Sequence, residues 1–338
     1  MTGLKRLKAL HWNIQQAAGY KGDEIPAIVF KEITKITPDI GCITEYSKDA
    51  DNRREFEKYI EEQGYNTFCT QAPKGQNDVL IFVSKKYESS AAMEFIWNDR
   101  NEFPNYLEVL VEGEGFALTV VGTRIRVLCD NNRKRIEEDR KFRLAQMENL
   151  NKRLNKIKTP TVVLGDFNGR EKWMYQNITA TDFHVCKSNG DTYNFDGFSV
   201  VIDHAVVRGV KAKVHTSWSF MESLPDIYKD GPFSSNVPSP YPDHAQLICD
   251  IAIIEQKRKT DAVLNSETLF DWKKLNATLK PTEDYLQMVM DEMPQGSTSH
   301  LKAKQRIESD LNITEGRGCT YPYVIRCVAN ALCSLGVN

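Results

Sequence analysis

The sequence lacks the features that mark secreted, membrane-spanning and zinc-binding proteins. Its eight cysteines include no C-x-x-C pair and no spacing typical of a zinc site, which predicts reduced core thiols. No apolar run approaches the roughly 18 residues that a membrane span needs, and the N-terminal MTGLKRLKALHWNIQQ has no apolar stretch of signal-peptide length. The simplest expectation is a cytoplasmic protein without a membrane partner.

The chain also has little net charge. A formal charge of −2 and an isoelectric point of about 6.3 give no global attraction for phosphate-rich polymers, so a nucleic acid would have to be held by a local patch. Hydrophobic residues make up 41% of the sequence and aromatics 10%, enough for a packed core. Because 338 residues exceed the size at which one core stops growing, we expect a large domain with a small appendage.

Short apolar segments typical of β-strands dominate the chain up to Ile254. They are Leu7–Ile14, Ile40–Thr44, Val79–Ser84, Tyr106–Val111, Phe116–Val127, Thr161–Leu164, Ser199–Val207 and Gln246–Ile254. Helical spacing of apolar residues predicts helices over Ile25–Ile36, about Arg135–Ile157, and Arg54–Gln63. Many strands with few, widely separated helices favour an α/β sandwich of two sheets with helices outside, rather than a doubly wound parallel fold.

Two stretches break this pattern. Five prolines among serines and aromatics in Trp218–Pro242 predict a long surface loop. Residues 256–281 form a polar connector that separates a predicted main domain, residues 1–255, from a helical C-terminal module of unknown role, residues 282–338, which is a candidate surface for a protein partner. The helical patterns of the module are Glu283–Met293, His300–Leu311 and Tyr323–Leu335.

The most informative string is TVVLGDFN, residues 161–168, in which an apolar strand ends in a glycine followed by Asp166 and Asn168. Side chains two apart on extended backbone point the same way, so a carboxylate and a carboxamide are expected to project together beyond a strand end. The first can handle a water or a metal, and the second can hydrogen-bond a phosphate oxygen. Taken alone, the string is equally typical of a strand followed by an ordinary turn.

Other predicted strand ends carry acidic, amide and imidazole groups. Asp243 and His244 precede the last strand, and Asp203 lies in another acidic strand segment. An Asp–His couple supplies an imidazole that exchanges a proton near neutral pH and a carboxylate that fixes its tautomer. Asn13 closes the first strand, and Glu45 ends the second with a hard oxygen ligand of the kind Mg²⁺ prefers. Each of these groups alone is more typical of a loop cap or a solvated strand end.

In their order along the chain these segments resemble the endonuclease/exonuclease/phosphatase superfamily, which includes DNase I-like nucleases, apurinic endonucleases, inositol polyphosphate phosphatases and neutral sphingomyelinases. The motifs are W-N-I at Asn13, P-D-I-x-x-x-x-E at Glu45, G-T-R at Arg124, L-G-D-F-N at Asp166 and Asn168, I-D-H at Asp203, and S-P-Y-P-D-H at Asp243 and His244. The resemblance covers about residues 5–254. It implies a DNase I-like, four-layered α/β/β/α sandwich with the site at one end of the two sheets.

The resemblance also implies roles for the metal and the water. Glu45 would bind Mg²⁺ or Mn²⁺, with Asn13 and Asp243 near the ion. Asp166 would orient or deprotonate the attacking water, and Asn168 would hold that water and the phosphate.

The remaining implied roles concern the histidine and the leaving group. His244 would contact the scissile phosphate or act as the base, and Asp203 would hydrogen-bond His244. Many members of the superfamily have a Thr-His-Leu strand end whose histidine assists the leaving group, but this chain has Arg124 there. Because the pKa of a guanidinium lies far above neutrality, an arginine does not donate a proton at neutral pH, although it can clamp a phosphate. The Y-x-P-N context of apurinic endonucleases is also missing.

The implied function is an intracellular, Mg²⁺-dependent phosphodiesterase, a nuclease acting on DNA, RNA or a nucleotide-containing substrate. Basic residues within 133–143 and aromatics within 218–241 would suit a nucleic-acid strand, although acidic residues interrupt the basic run as in an ordinary solvated helix. A phosphomonoesterase for inositol phosphates or nucleotides is one alternative. A catalytically weakened effector that binds a phosphate ligand is another, suggested by Arg124. The unpaired cysteines and missing signal disfavour a secreted sphingomyelinase or DNase.

Overall fold

The computed structural model describes residues 4–14, 24–47, 50–71, 77–95, 104–128, 133–195, 198–224 and 242–254. Within these ranges the strands form two six-stranded sheets and one two-stranded hairpin. The predicted connector, the C-terminal module and most of the predicted Trp218–Pro242 loop lie outside the described residues.

The first sheet contains the first and last strands of the described residues. Its strands are β1 (Leu4–Asn13), β2 (Ile40–Tyr46), β3 (Tyr65–Cys69), β4 (Asp78–Ser84), β13 (Lys211–Ser217) and β14 (Gln246–Ile254). Their spatial order is β13-β14-β1-β2-β4-β3, with β1 and β2 parallel and the other pairs antiparallel. Both central strands are buried on two faces at their carboxyl ends, as expected for strands covered by layers on both sides.

The second sheet is built from the middle of the chain. Its strands are β5 (Glu88–Phe95), β6 (Asn105–Gly113), β7 (Phe116–Arg124), β8 (Thr161–Asp166), β9 (His184–Val185) and β12 (Asp203–Arg208). Their order is β5-β6-β7-β8-β12-β9, and only the β7–β8 pair is parallel within the described sheet. The hairpin of β10 (Tyr193–Phe195) and β11 (Phe198–Val200) precedes β12.

Three apolar clusters fill the spaces between four layers. The helices are α1 (Ala27–Ile36), α2 (Arg53–Glu62), α3 (Arg133–Leu154) and α4 (Glu171–Asn177), with a 3₁₀ helix at Ser219–Ser223. One cluster joins the two sheets, a second joins α1 and α2 to the outer face of the first sheet, and a third joins α3 and α4 to the outer face of the second. The predicted four-layered sandwich is therefore confirmed.

The differences from the predicted elements have local causes. The predicted strand Ser199–Val207 is wrong as a single strand, because the Thr192 hydroxyl accepts hydrogen bonds from the Ile202 and Asp203 backbone nitrogens and so interrupts the ladder between β11 and β12. The predicted strand Phe116–Val127 stops at Arg124. The strands β3, β5 and β13, which the sequence did not predict, lie at sheet edges, where few of their described residues are buried.

None of the helices in the described ranges is long and apolar enough to cross a membrane. Cys42, Cys186 and Cys249 are buried free thiols, and Cys69 is a partly exposed one. The thiols of Cys42 and Cys249 lie in the cluster between the two sheets, where they contribute apolar volume.

Candidate active site

The strand register gathers the polar strand ends at one end of the sandwich. Asn13 on β1 lies opposite Thr44 on β2 in the first sheet. In the second sheet Asp166 on β8 lies between Arg124 on β7 and Asp203 on β12. Side chains from both sheets therefore meet across the edge of the interface between them.

Asn13 bridges two carboxylates that belong to different sheets. Its Nδ2 donates to Glu45 Oε1 at 3.3 Å and to Asp166 Oδ2 at 3.1 Å. All three side chains are buried. Because a carboxamide has two N–H groups, one Asn can orient both acids, which fixes the spacing of Glu45 and Asp166.

Glu45 owes its direction to an irregular backbone. Its φ is +54°, and the pairing of β2 with β4 shifts register between Ile43 and Tyr46. A left-handed conformation costs a residue other than glycine about 1–2 kcal/mol and persists only where the surroundings enforce it. The bulge thus re-aims the Glu45 carboxylate at the site, a use of β-bulges common beside active sites.

Asp166 and Asn168 meet through a turn. The Asp166 carboxylate accepts from the Asn168 backbone N–H at 2.8 Å and from Asn168 Nδ2 at 2.9 Å, and the same Nδ2 donates to the Ile125 carbonyl at 2.9 Å. Asn168 has φ +48°, so the expectation that extended backbone aligns the two side chains is wrong. The Arg143 guanidinium secures the turn by donating to the Asn168 carbonyl at 2.8 Å.

Arg124 pairs with the acids of the site. Its Nη2 donates to Glu45 Oε1 at 2.6 Å, and its Nε lies 3.7 Å from Asp166 Oδ2. Burial favours the protonated form of Glu45, but the Arg124 charge and hydrogen bond hold the Glu45 pKa below its ordinary value. Burial and the neighbouring Asp203 charge instead raise the pKa of Asp166.

Asp203 lies between two imidazoles. Its Oδ2 is 2.7 Å from His244 Nδ1, and its Oδ1 is 2.9 Å from His11 Nε2. Burial favours the neutral acid, but the charge of His244 and the hydrogen bonds from His11 and His244 hold the pKa of Asp203 well below its usual range. Burial disfavours a charged His244, yet the Asp203 carboxylate raises the pKa of His244 to about 10. The pair is therefore an imidazolium–carboxylate pair at neutral pH.

The residues fit a hard divalent cation. The Asp243 Oδ1 atom is buried, lies 3.7 Å from His244 Nε2, and finds no hydrogen-bond partner among the described residues. Burial, aggravated by the Glu45 charge, raises the pKa of Asp243 to about 7, which a nearby cation would relieve. In the described part of the chain no three His, Cys, Asp or Glu side chains form a ready-made metal site. Mg²⁺ needs only one or two carboxylates because it keeps several waters.

His11 was assigned no role from the sequence. It lies two residues before Asn13 on β1, and the two-residue period of a strand puts both side chains on one face. The two-residue spacing from Asn13 is the feature of the sequence that places His11 at the site. Two further site residues show no such spacing. The Tyr193 ring centroid is 5.0 Å from that of His244, and the Thr192 hydroxyl accepts a hydrogen bond from the Asp203 backbone nitrogen. Tyr193 lies in a strand of three residues and Thr192 just before it, too short a stretch to show a period.

The described part of the two suggested substrate-binding regions has structural contacts. Phe220 of the predicted loop is buried against Trp12, with ring centroids 5.1 Å apart. In the basic run Arg140 pairs with Glu137, and Arg143 donates to the Arg126 carbonyl. Phe220 therefore fixes the loop to the domain, Arg140 lies on a solvated helix face, and Arg143 is buried. Residues 225–241, with the loop aromatics beyond Phe220 and the start of the last motif, lie outside the described residues.

No protein-family model matches the sequence, and no curated protein matches it. Solved structures do match the fold. Truncated TDP2 from Caenorhabditis elegans aligns with TM-score 0.55 and 15% identity, over 73% of this chain and 97% of that one. An endonuclease/exonuclease/phosphatase family protein from Bacteroides thetaiotaomicron gives 0.53 and 14%, over 74% and 99%. ANGEL2, a 2',3'-cyclic phosphatase, gives 0.51 and 12%, over 75% and 99%. The chain therefore has the DNase I-like fold of the endonuclease/exonuclease/phosphatase superfamily.

Proposed function

We propose that the protein is a divalent-metal-dependent phosphodiesterase that acts on DNA, RNA or a nucleotide-containing substrate, with Mg²⁺ or Mn²⁺ as the ion. The observation that carries this proposal is the buried Asp203–His244 pair held beside Asp166 and Asn168 at one end of the sandwich. A purely structural ion pair does not need further carboxylates, Glu45 and Asp243, collected at the same strand ends.

The structural neighbours support the substrate class. One matching structure is TDP2 from D. rerio complexed with a single-strand DNA product, with TM-score 0.52 and 14% identity. The matching ANGEL2 structure holds adenosine-2',3'-vanadate. One ligand is a nucleic acid and the other a nucleoside vanadate, and a site that combines an imidazolium, an arginine and amide donors suits the oxyanion of such ligands.

The pKa shifts favour different roles for the two residues, with Asp166 as the base and His244 as a charged group that binds the phosphate. A histidine with a pKa of about 10 keeps its proton at neutral pH, so it is suited to bind a phosphate oxygen and neutralise developing charge. The pKa of Asp166 is raised, which makes its carboxylate a stronger base for the attacking water. Asn168 and Asn13 hold that carboxylate in place.

A bound divalent ion supplies Lewis-acid polarisation of the phosphate oxygens. Glu45 and Asp243 would hold it, with Asn13 orienting Glu45. Arg124 cannot replace the usual histidine as a proton donor, but its guanidinium can neutralise charge on the phosphate. This arrangement favours substrates with a good leaving group.

The experiment is a substrate panel. Single- and double-stranded DNA, RNA, bis-p-nitrophenyl phosphate and p-nitrophenyl phosphate are assayed with Mg²⁺, Mn²⁺ or EDTA. We expect metal-dependent hydrolysis of diesters that is lost in Asp166→Asn and retained in Asp51→Asn, a matched change at an exposed turn. Hydrolysis of the monoester alone would favour the phosphomonoesterase. Hydrolysis that persists in EDTA, or phosphate-ligand binding without any turnover, would refute the proposal.

A further inference from the structure

The Arg124 guanidinium lies among the carboxylates that a divalent ion would use. It is 2.6 Å from Glu45 Oε1 through Nη2 and 3.7 Å from Asp166 Oδ2 through Nε. Its side chain is only 14% exposed. The charges of Glu45, Asp166 and Asp203 all stabilise its cationic form. Arg124 thus supplies positive charge among the acidic groups of the site.

Glu45 Oε1 has little capacity left for another partner. It accepts from Arg124 Nη2 and from Asn13 Nδ2, and a carboxylate oxygen has about two lone-pair positions. An ion that binds this oxygen has to displace one of the two donors. Asn13 also donates to Asp166 and is fixed by that second bond, so Arg124 is the donor that can leave.

Electrostatic repulsion also favours displacement of Arg124 by a divalent ion. A divalent cation and a guanidinium that share one carboxylate repel each other, and the repulsion is strong because water is largely excluded from the site. Once displaced from Glu45, the guanidinium remains tethered at the end of β7 beside Asp166, within the same cluster. From there it can contact the phosphate on which the ion also acts.

We propose that Arg124 is a built-in competitor for the divalent ion at Glu45, so that ion binding is weakened by this side chain and releases its guanidinium toward the substrate phosphate. This inference rests on the proposed function, since it takes Glu45 as the ion's ligand. It gives Arg124 a role that a histidine at the same strand end, largely neutral at neutral pH, would not have.

The test measures ion binding rather than catalysis. Mn²⁺ is titrated into the full chain at constant pH, and free Mn²⁺ is followed by electron paramagnetic resonance. Arg124→Gln and Arg124→His should bind Mn²⁺ at least about tenfold more tightly than the wild type, which corresponds to ~1.4 kcal/mol. Arg124→Lys, which keeps the charge, should stay near the wild-type affinity. Arg140→Gln removes an exposed arginine and should change nothing.

The outcomes separate the two proposals. Unchanged or weaker Mn²⁺ binding in folded Arg124→Gln and Arg124→His overturns the competition, and so does unfolding of both variants, which would show a structural ion pair. If wild type and variants bind equally and Glu45→Gln weakens both, the competition fails while the metal-dependent function stands. If none of the proteins binds millimolar Mn²⁺, the proposed metal-dependent function fails as well.

Discussion

The Asp203→Asn substitution probes the buried link between the two sheets. In the wild type Oδ1 accepts from His11 Nε2 at 2.9 Å and Oδ2 accepts from His244 Nδ1 at 2.7 Å. An asparagine has one acceptor oxygen and an NH₂ group, so it can accept from only one of the two imidazoles. The other ring nitrogen either loses its proton or loses its hydrogen bond, while the negative charge disappears altogether.

The size of the effect follows from the balance of forces on His244. Burial lowers its pKa, and the Asp203 charge and hydrogen bond overcome burial to raise it to about 10. Without that charge we expect the pKa of His244 to fall to about 6.5 or below, so the imidazole becomes neutral at pH 7.5. Because each pKa unit corresponds to ~1.4 kcal/mol, the lost preference for the charged form is on the order of 5 kcal/mol.

The sign of the pH dependence is fixed by the raised pKa. A group with a higher pKa in the folded than in the unfolded state contributes stability that is fully present below the unfolded pKa. That contribution is lost as the pH rises through the folded pKa, here about 10 for His244. Between pH 7 and 10 the wild type should therefore lose stability that Asp203→Asn does not lose.

Two measurements on the metal-free protein check this expectation. The His244 ring is titrated by NMR, and the free energy of unfolding is measured in urea across the same pH range.

Activity is measured separately with the divalent ion present. In Asp203→Asn, hydrolysis of bis-p-nitrophenyl phosphate should fall by a factor on the order of 10², and adding His244→Ala should cost little more. His184→Ala, at an exposed position on β9, is the control. An unchanged His244 pKa in Asp203→Asn, or additive losses in the double variant, would refute the reasoning.

Three further changes test the remaining assignments. Glu45→Gln should weaken Mg²⁺ binding and activity, whereas the exposed Glu62→Gln should do neither. Normal Mg²⁺ binding by folded Glu45→Gln would contradict the ligand role. Asp166→Asn should lower kcat by a factor on the order of 10² or more, and a near-normal rate would exclude it as the base. A chain that ends at Glu255 should keep metal-dependent diester hydrolysis, because every proposed site residue precedes it; a folded but inactive product would show that the C-terminal region completes the site.

The sequence predicted the elements whose signals are strong. Apolar strands such as Thr161–Asp166 and Gln246–Ile254 are paired on both sides within a sheet, so packing and pattern agree. The edge strand Lys211–Ser217 buries only Val214, and Ala212 is its only other apolar residue. Its formation depends on pairing with β14, a long-range contact that local pattern does not encode.

The candidate site was predictable in composition and only partly in geometry. The chemical types of Asp166, Asn168 and His244 follow from short strings. The left-handed backbone of Glu45 does not, because a glutamate reaches φ > 0 only where tertiary contacts enforce it; Asn168 adopts the same region more readily, as asparagines do in turns. The Arg124–Glu45 pair likewise joins residues 79 positions apart on different sheets, and no pattern within either strand specifies it.

The site depends on how closely the two sheets approach each other. His11 and Asn13 come from the first sheet and contact Asp203 and Asp166 of the second, so a shift between the sheets would lengthen both contacts together. Gly122 on β7 shows how tight the approach is, since a Cβ there would lie 2.6 Å from a Val79 methyl carbon and 2.8 Å from the Cys42 sulfur. Close packing of this kind resists small displacements because interiors have few voids to absorb them. The apolar core between the sheets therefore sets the hydrogen-bond lengths of the acidic cluster at its edge, and the chemistry proposed for the site depends on that packing as much as on the polar residues themselves.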